Sequence, residues 1–392
     1  MTLTAGVLAP AARFSARAEL RHLRARDFRN FASVDVDVAP GGMAIVGDNA
    51  QGKTNFLEAV YYLQLLRSFR GDRDQELVRF GTSGFHLAGV IAGTGPTEVA
   101  VGYERPASGR GSGRKRTRLN GAEPPRLSDA LGILPSVIFS PRDAVIITGG
   151  PGERRRFLDV LLALTSRQYL TALQRYRTAL ANRNAALRNT KLTESDDAVA
   201  VWEPALAESG AVLWAARQKW VSSQSARFAE LSRTIGERGE AGLEYRSRAH
   251  VNDASPELDV TLLEWFERKR ALDIRRGFTH IGPHRDELAI LLDGRDLQGY
   301  ASAGQQRTAA IALRLLEAET LRAATSMEPV VLLDDPFAEL DARRSRRILE
   351  LLNSAGRGQT LLAVPRPSDI PEGFTRLERW RVSEGVLARE HE

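Results

Sequence analysis

Eight consecutive residues, Gly47-Asp48-Asn49-Ala50-Gln51-Gly52-Lys53-Thr54, have the types and spacing of a phosphate-gripping loop. Gly47 and Gly52 let the backbone bend so that successive N–H groups converge on one anion, and a helix opening near Lys53 adds its positive end. The Lys53 ammonium reaches the β and γ phosphates of a nucleotide, and the Thr54 hydroxyl ligates Mg²⁺. Such a loop needs a carboxylate for its metal. Asp334-Asp335 supplies two, directly after the apolar run Val330-Val331-Leu332-Leu333. Asp334 suits Mg²⁺ held through water, and Asp335 stands where a base or water-positioning group belongs. Adjacent acids at the end of a buried strand cost free energy unless they are paired or metal-bound, which favours the metal over a plain strand-end cap.

The elements that must carry these residues are legible in the hydrophobic pattern. Leu20–Ala25 and Ser33–Val38 read as strands, the second alternating Val34, Val36 and Val38. Pro40-Gly41-Gly42 is a turn, and Met43–Val46 a short buried strand that delivers the chain into the phosphate loop. Asn55–Leu66 follows as a helix, with Phe56, Val60, Leu63 and Leu66 at helical spacing. Ala88–Arg105 is strand-like around a turn at Gly93–Pro96, and Asn120-Gly121 is a hairpin signal. The middle is helical: Glu153–Arg188 and Trp202–Ile235, separated by a polar break at 189–197, fit a short antiparallel arm. Trp202, Trp214 and Trp220 are expected in its core. Strand candidates return at Glu287–Leu292, Pro329–Leu333 and Thr360–Val364, with a helix over Gly304–Ala324. Residues 1–17, Ala-rich and aperiodic, read as a disordered extension or a start codon assigned too early.

Composition sets the outer limits. The 392 residues are 43% hydrophobic and 27% charged, which suits two or three folded units and argues against wholesale disorder. With no cysteine there are no disulfides, thiolate nucleophiles, cysteine zinc sites or iron–sulfur clusters. No run reaches the length of a membrane helix and the N-terminus lacks a signal-peptide pattern, so no membrane role and a cytoplasmic location are expected. The net charge is +6, and only five of 55 basic residues are lysine. Coding bias accounts for so much arginine more simply than selection does, yet arginine is well matched to phosphates.

Gly47 and Asp334 are separated by nearly 290 residues, so a helical insertion splits the nucleotide site. That organisation resembles ABC-type ATPases. Ser302-Ala303-Gly304-Gln305-Gln306, ahead of a helix, resembles their signature segment, and Ala338-Glu339-Leu340-Asp341 resembles a D-loop. Phe28-Arg29-Asn30-Phe31 resembles the N-terminal motif of the branch that works on DNA. Within that branch the chain resembles the RecF family from about Ala18 onward. The carrying residues are Phe139–Asp143, Gly149-Gly150-Pro151, Arg154–Asp159, Gly282–Leu288 and Leu332–Asp341.

The resemblance implies an α/β fold, an ABC-type P-loop ATPase head with an inserted helical lobe. Residues 18–142 and 304–392 would form the ATPase lobe, and 143–303 the helical lobe with the signature at its end. It implies ATP and Mg²⁺ as cofactors, DNA as a ligand at single-strand gaps and junctions, and an ATP-dependent homodimer. It also implies RecR and perhaps RecO as partners in loading recombinase during repair at stalled forks. Ser302, Gly304 and Gln305 of one copy would face the phosphates held by Lys53 of the other. Asp335, where many ABC ATPases have Glu, implies slow hydrolysis. A transporter subunit would want a switch His, but Val364-Pro365-Arg366-Pro367 occupies that region. A chromosome-organising ATPase of the SMC type would want hundreds of heptad residues.

Three features stay open at this level. Arg105–Arg118, with six basic residues and no acid, is either a DNA contact or a solvated hairpin tip. Arg154, Arg155 and Arg156 either bridge within the domain or face DNA or a second subunit. His280, His284 and Asp286 suit a structural turn better than a metal centre, since a zinc site wants three or four convergent ligands.

Overall fold

The computed structural model describes residues 16–93, 95–106, 111, 113–190, 196–247, 257–337, 341–354 and 358–390. Residues 1–15 of the expected extension lie outside these, as do 107–110 and 112 of the basic loop. So do 191–195 of the polar break and Ala338-Glu339-Leu340 of the D-loop-like segment. The chain divides into two compact units. One takes the described parts of Met1–Val137, Arg322–Leu333 and Gly356–Glu392, the other Ile138–Leu321 and Asp334–Ala355.

The first unit holds an antiparallel sheet in the order Phe31–Asp37, Glu19–Phe28, Gly84–Ala92, Thr97–Glu104, Arg114–Leu119. Alternation builds it: Leu23 and Ala25 are buried from one strand, Val99, Val101 and Tyr103 from another. The second sheet runs Val386–Arg389, Glu378–Ser383, Gly42–Val46, Thr360–Val364, Val330–Asp334, Ser136–Phe139. Gly42–Val46 is central and fully buried, with Thr360–Val364 and Glu378–Ser383 parallel on its two sides. Its continuous apolar run is what a strand covered on both faces requires. Ala16–Arg17, assigned to the extension on sequence, pair in parallel with Met327–Glu328.

The second unit is mostly helical. The stretch expected as one helix from Glu153 is two, Pro151–Thr165 and Arg167–Asn189. Ser166 breaks them because its extended backbone and side chain cap the second, accepting from the Tyr169 N–H. Arg167–Asn189 packs on Glu203–Ile235, and Trp214 and Trp220 are buried there as expected. The strand Ala241–Arg246 and the helix Leu258–Arg276 had no sequence signal strong enough to be drawn.

Sequence places the lobe breaks at 142/143 and 303/304, whereas the compact units change over at 137/138, 321/322, 333/334 and 355/356. The reason lies in two arginines of the helix Ala303–Thr325. Arg307 donates to the Ser140 carbonyl at 2.6 Å, and Arg314 pairs with Asp143 at 2.7 Å, tying 139–143 to that helix.

Candidate nucleotide site

Gly42–Val46 ends at Gly47, and the helix Lys53–Leu65 begins six residues later. The loop between them needs both glycines. A Cβ on Gly47 would stand 2.4 Å from the Val382 carbonyl oxygen. Gly52 has φ +126°, and a Cβ there would meet the Asn30 amide at 3.0 Å. Lys53 is buried at 8% exposure and folds over the loop, donating to the carbonyls of Gly47 at 2.6 Å and Asp48 at 2.9 Å. Asp48, Asn49 and Ala50 are exposed at its rim. The helix has no side-chain cap and no acid in its first turn, and its first ladder bond is Phe56 N–H to Gly52 O. The N–H groups of the first turn are thus outside the helical ladder, and a lysine stands beside them. This donor set fits a polyphosphate.

The Phe28–Phe31 motif, recognised on sequence without a task, braces this loop. Arg29 donates to Glu58 of the loop's helix at 2.8 and 3.0 Å, and pairs with Asp72. Glu58 is fully buried and also receives the Ser68 hydroxyl. Burial lowers the Arg29 pKa, but the hydrogen bonds and charges of Glu58 and Asp72 outweigh it and raise it overall. Asn30 reaches the Gln51 carbonyl at 2.8 Å.

The remaining predicted site residues belong to the second unit. Asp334 ends its strand with 8% exposure, and Asp335 turns sharply with φ +46°. Ser302 caps the helix Ala303–Thr325: the Gln305 N–H donates to its hydroxyl at 3.3 Å, and the Ser302 N–H to the Gln305 amide oxygen at 2.9 Å. Beside Gly304 lies Arg344, whose guanidinium nitrogen would be 2.6 Å from a Cβ there. Arg307 donates to the Pro336 carbonyl just beyond the paired acids. The sequence reading missed Arg307 and Arg344, which sit at unremarkable helical positions. Among the described residues no three His, Cys, Asp or Glu cluster as a metal site.

The open alternatives resolve by partner. Arg154 is buried, pairs with Glu287 at 2.5 Å and donates to the Gly149 carbonyl at 2.8 Å, so it bridges within the unit. Arg155 donates to the Asp286 carbonyl. His284 places Nδ1 against the Tyr176 hydroxyl at 2.7 Å and Nε2 against the Thr279 carbonyl at 3.0 Å, while Asp286 accepts from Tyr245 at 2.8 Å. Gly282–Leu288 is a buried structural clasp, and burial pushes His284 down to about 4.

Of the basic loop, Arg114–Leu119 is a strand. Its even positions Arg114, Arg116 and Arg118 are exposed on one face, while Lys115 turns to the other and pairs with Asp74 at 2.6 Å. Register continues the arginine face across the sheet, Arg116 to Gly102 to His86 to Arg26. Arg26, Arg114, Arg116 and Arg118 make no ion pair with a described residue.

The RecF/RecN/SMC N terminal domain family matches residues 19–368. Proteins named DNA replication and repair protein RecF are similar along nearly the whole chain. That of Lacticaseibacillus casei is 34% identical, covering 95% of this chain and 100% of that one. That of Streptomyces avermitilis is 36% identical, covering 94% and 99%. A solved structure of the recombination mediator protein RecF-ATP in the RecFOR pathway aligns with a TM-score of 0.85 at 29% identity, covering 96% and 98%. An Smc head domain from Pyrococcus furiosus aligns at 0.54 and 16% identity over 95% and 96%, a likeness of fold. Since the likeness in sequence and in backbone runs along nearly the whole chain, the chain belongs to the RecF family, with the fold of an α/β ABC-type ATPase head.

Proposed function

We propose that this protein is an ATP-dependent DNA-binding protein of recombinational repair and replication-fork maintenance. In this reading it acts as an ATP-driven homodimer at gaps and junctions and helps RecR and RecO load recombinase. The observation that carries the reading is the loop Gly47–Thr54, with Lys53 and the first turn of its helix offering converging donors. The solved RecF-ATP relative supports ATP as the anion they receive.

Lys53 would neutralise the β and γ oxygens, and the Gly52, Lys53 and Thr54 N–H groups would bind them. Thr54 and Asp334 would hold Mg²⁺, and Asp335 would orient water, slowly because its side chain is short. ATP with Mg²⁺ supplies a cleavable phosphoryl group and a polyanion that two copies can share. Ser302, Gly304 and Gln305 of a second copy would grip it from the opposite side, so that the nucleotide biases assembly. DNA is assigned to the arginine face of the antiparallel sheet. It carries four arginines that pair with no described residue, which suits sequence-neutral phosphate contacts.

The test is sedimentation velocity with ATP and Mg²⁺, with and without a gapped duplex. An ATP-dependent dimer that co-sediments with DNA is expected. A monomer indifferent to both ligands, with RecR present as well, would overturn the reading.

A further inference from the structure

The last two strands lie beyond the family match, which ends at residue 368, and have no counterpart among the motifs read from the sequence. They pair antiparallel through a two-residue turn, Glu384-Gly385, with φ of +48° and +77°. That turn closes on the phosphate loop. The Gly385 N–H donates to the Gln51 carbonyl at 3.1 Å, and the Glu384 N–H to the Gln51 side-chain oxygen at 2.6 Å. Asn30 Nδ2 donates to the same carbonyl at 2.8 Å and is itself steadied by Asn55. The approach is tight: a Cβ on Gly385 would stand 2.4 Å from the Asn30 carbonyl oxygen.

The Gln51 carbonyl is thus held by two donors. In a planar trans peptide, C=O and the following N–H point in opposite directions. Fixing Gln51 O toward the hairpin turns the Gly52 N–H away from it. Gly52 has φ +126° and no side chain to restrain that peptide by itself. We propose that the Glu384-Gly385 turn is a positioning element of the nucleotide site, holding the Gln51–Gly52 peptide so that one N–H stays aimed at a bound polyphosphate. The proposal rests on the nucleotide reading above, and adds that the C-terminal hairpin, acting with Asn30, sets phosphate affinity.

The test compares Gly385→Ala with Gly121→Ala. Gly121 also has positive φ, +82°, in a turn of the same unit, but a Cβ there meets nothing within 4 Å. Both variants carry the same kind of backbone strain, and only one disturbs the loop. Titration with a fluorescent ATP analogue should show Gly385→Ala binding about tenfold more weakly than Gly121→Ala, the loss of one charge-assisted hydrogen bond. Competition by AMP, which lacks the β and γ phosphates, should be unchanged. ATP affinity within about twofold of Gly121→Ala, or an equal loss for AMP and ATP, would overturn the proposal. Should Gly385→Ala fail to fold, Asn30→Ala removes the other donor without backbone strain, and unchanged ATP affinity there overturns it equally. If Lys53→Ala binds ATP as well as the wild type, the nucleotide reading itself has failed.

Discussion

Lys53 is one of five lysines in an arginine-rich chain, and it is buried over the phosphate loop rather than extended into water. Its bonds to the Gly47 and Asp48 carbonyls hold a positive charge at the loop. Lys53→Met keeps the bulk and removes the charge. ATP affinity should fall between about tenfold and a hundredfold, and ATP-dependent dimerisation should vanish. An undiminished dimer in sedimentation would contradict the assignment. His284 gives a second test at this scale. Burial, with Arg285 and Arg155 adding to it, depresses its pKa to about 4 from 6.5. The imidazole is therefore neutral when folded, and the unfolded chain binds its proton first as pH falls. The associated stability is intact above pH 6.5 and is lost on the way down to pH 4, on the order of 3 kcal/mol. Urea denaturation of His284→Gln should show a flatter decline across that window, and an unchanged slope would exclude His284 as its source.

At the level of elements, the helix Ala303–Thr325 is held by its arginines. Arg307 spans the Ser140 and Pro336 carbonyls, and its removal leaves buried acceptors without their donor. Arg307→Met should cost about 2–4 kcal/mol, read from the urea midpoint at constant m-value. The strand Arg114–Leu119 carries the other prediction. Reversing Arg114, Arg116 and Arg118 to Glu should weaken binding to unrelated duplexes alike and shallow the dependence of affinity on salt. ATP affinity should hold, because Arg114, Arg116 and Arg118 lie on a strand of the antiparallel sheet and the phosphate loop follows a strand of the other sheet. Unaltered DNA binding would move the DNA to another face.

For the whole molecule, the claim at stake is that one copy completes another's nucleotide site. Ser302→Arg would put bulk and charge at the N-terminus of the signature helix while leaving the Gly47–Thr54 loop untouched. ATP should still bind the monomer, and the ATP-dependent dimer should be lost. A dimer that persists at wild-type strength would end the two-copy arrangement, and loss of ATP binding by the monomer would show that Ser302 acts within its own chain.

The phosphate loop, its strand and helix, and the paired acids were legible because they are local. Backbone bending, helix polarity and apolar runs are written in adjacent residues. The family motifs were visible as strings, yet their tasks were not. Arg29 could not be matched to Glu58, nor Arg307 to Ser140, because each bond joins residues far apart in the chain. The basic stretch before Asn120 looked like a loop because its lysine and arginines hide a period of two, and only pairing with Thr97–Glu104 revealed the strand. The C-terminal hairpin offered weak alternation and was missed. Sequence alone determined which residues have the types and spacing to grip phosphate. Tertiary structure decided what holds them in place, since a carbonyl at Gln51 finds its donors at Asn30 and Gly385 only after the sheets have formed.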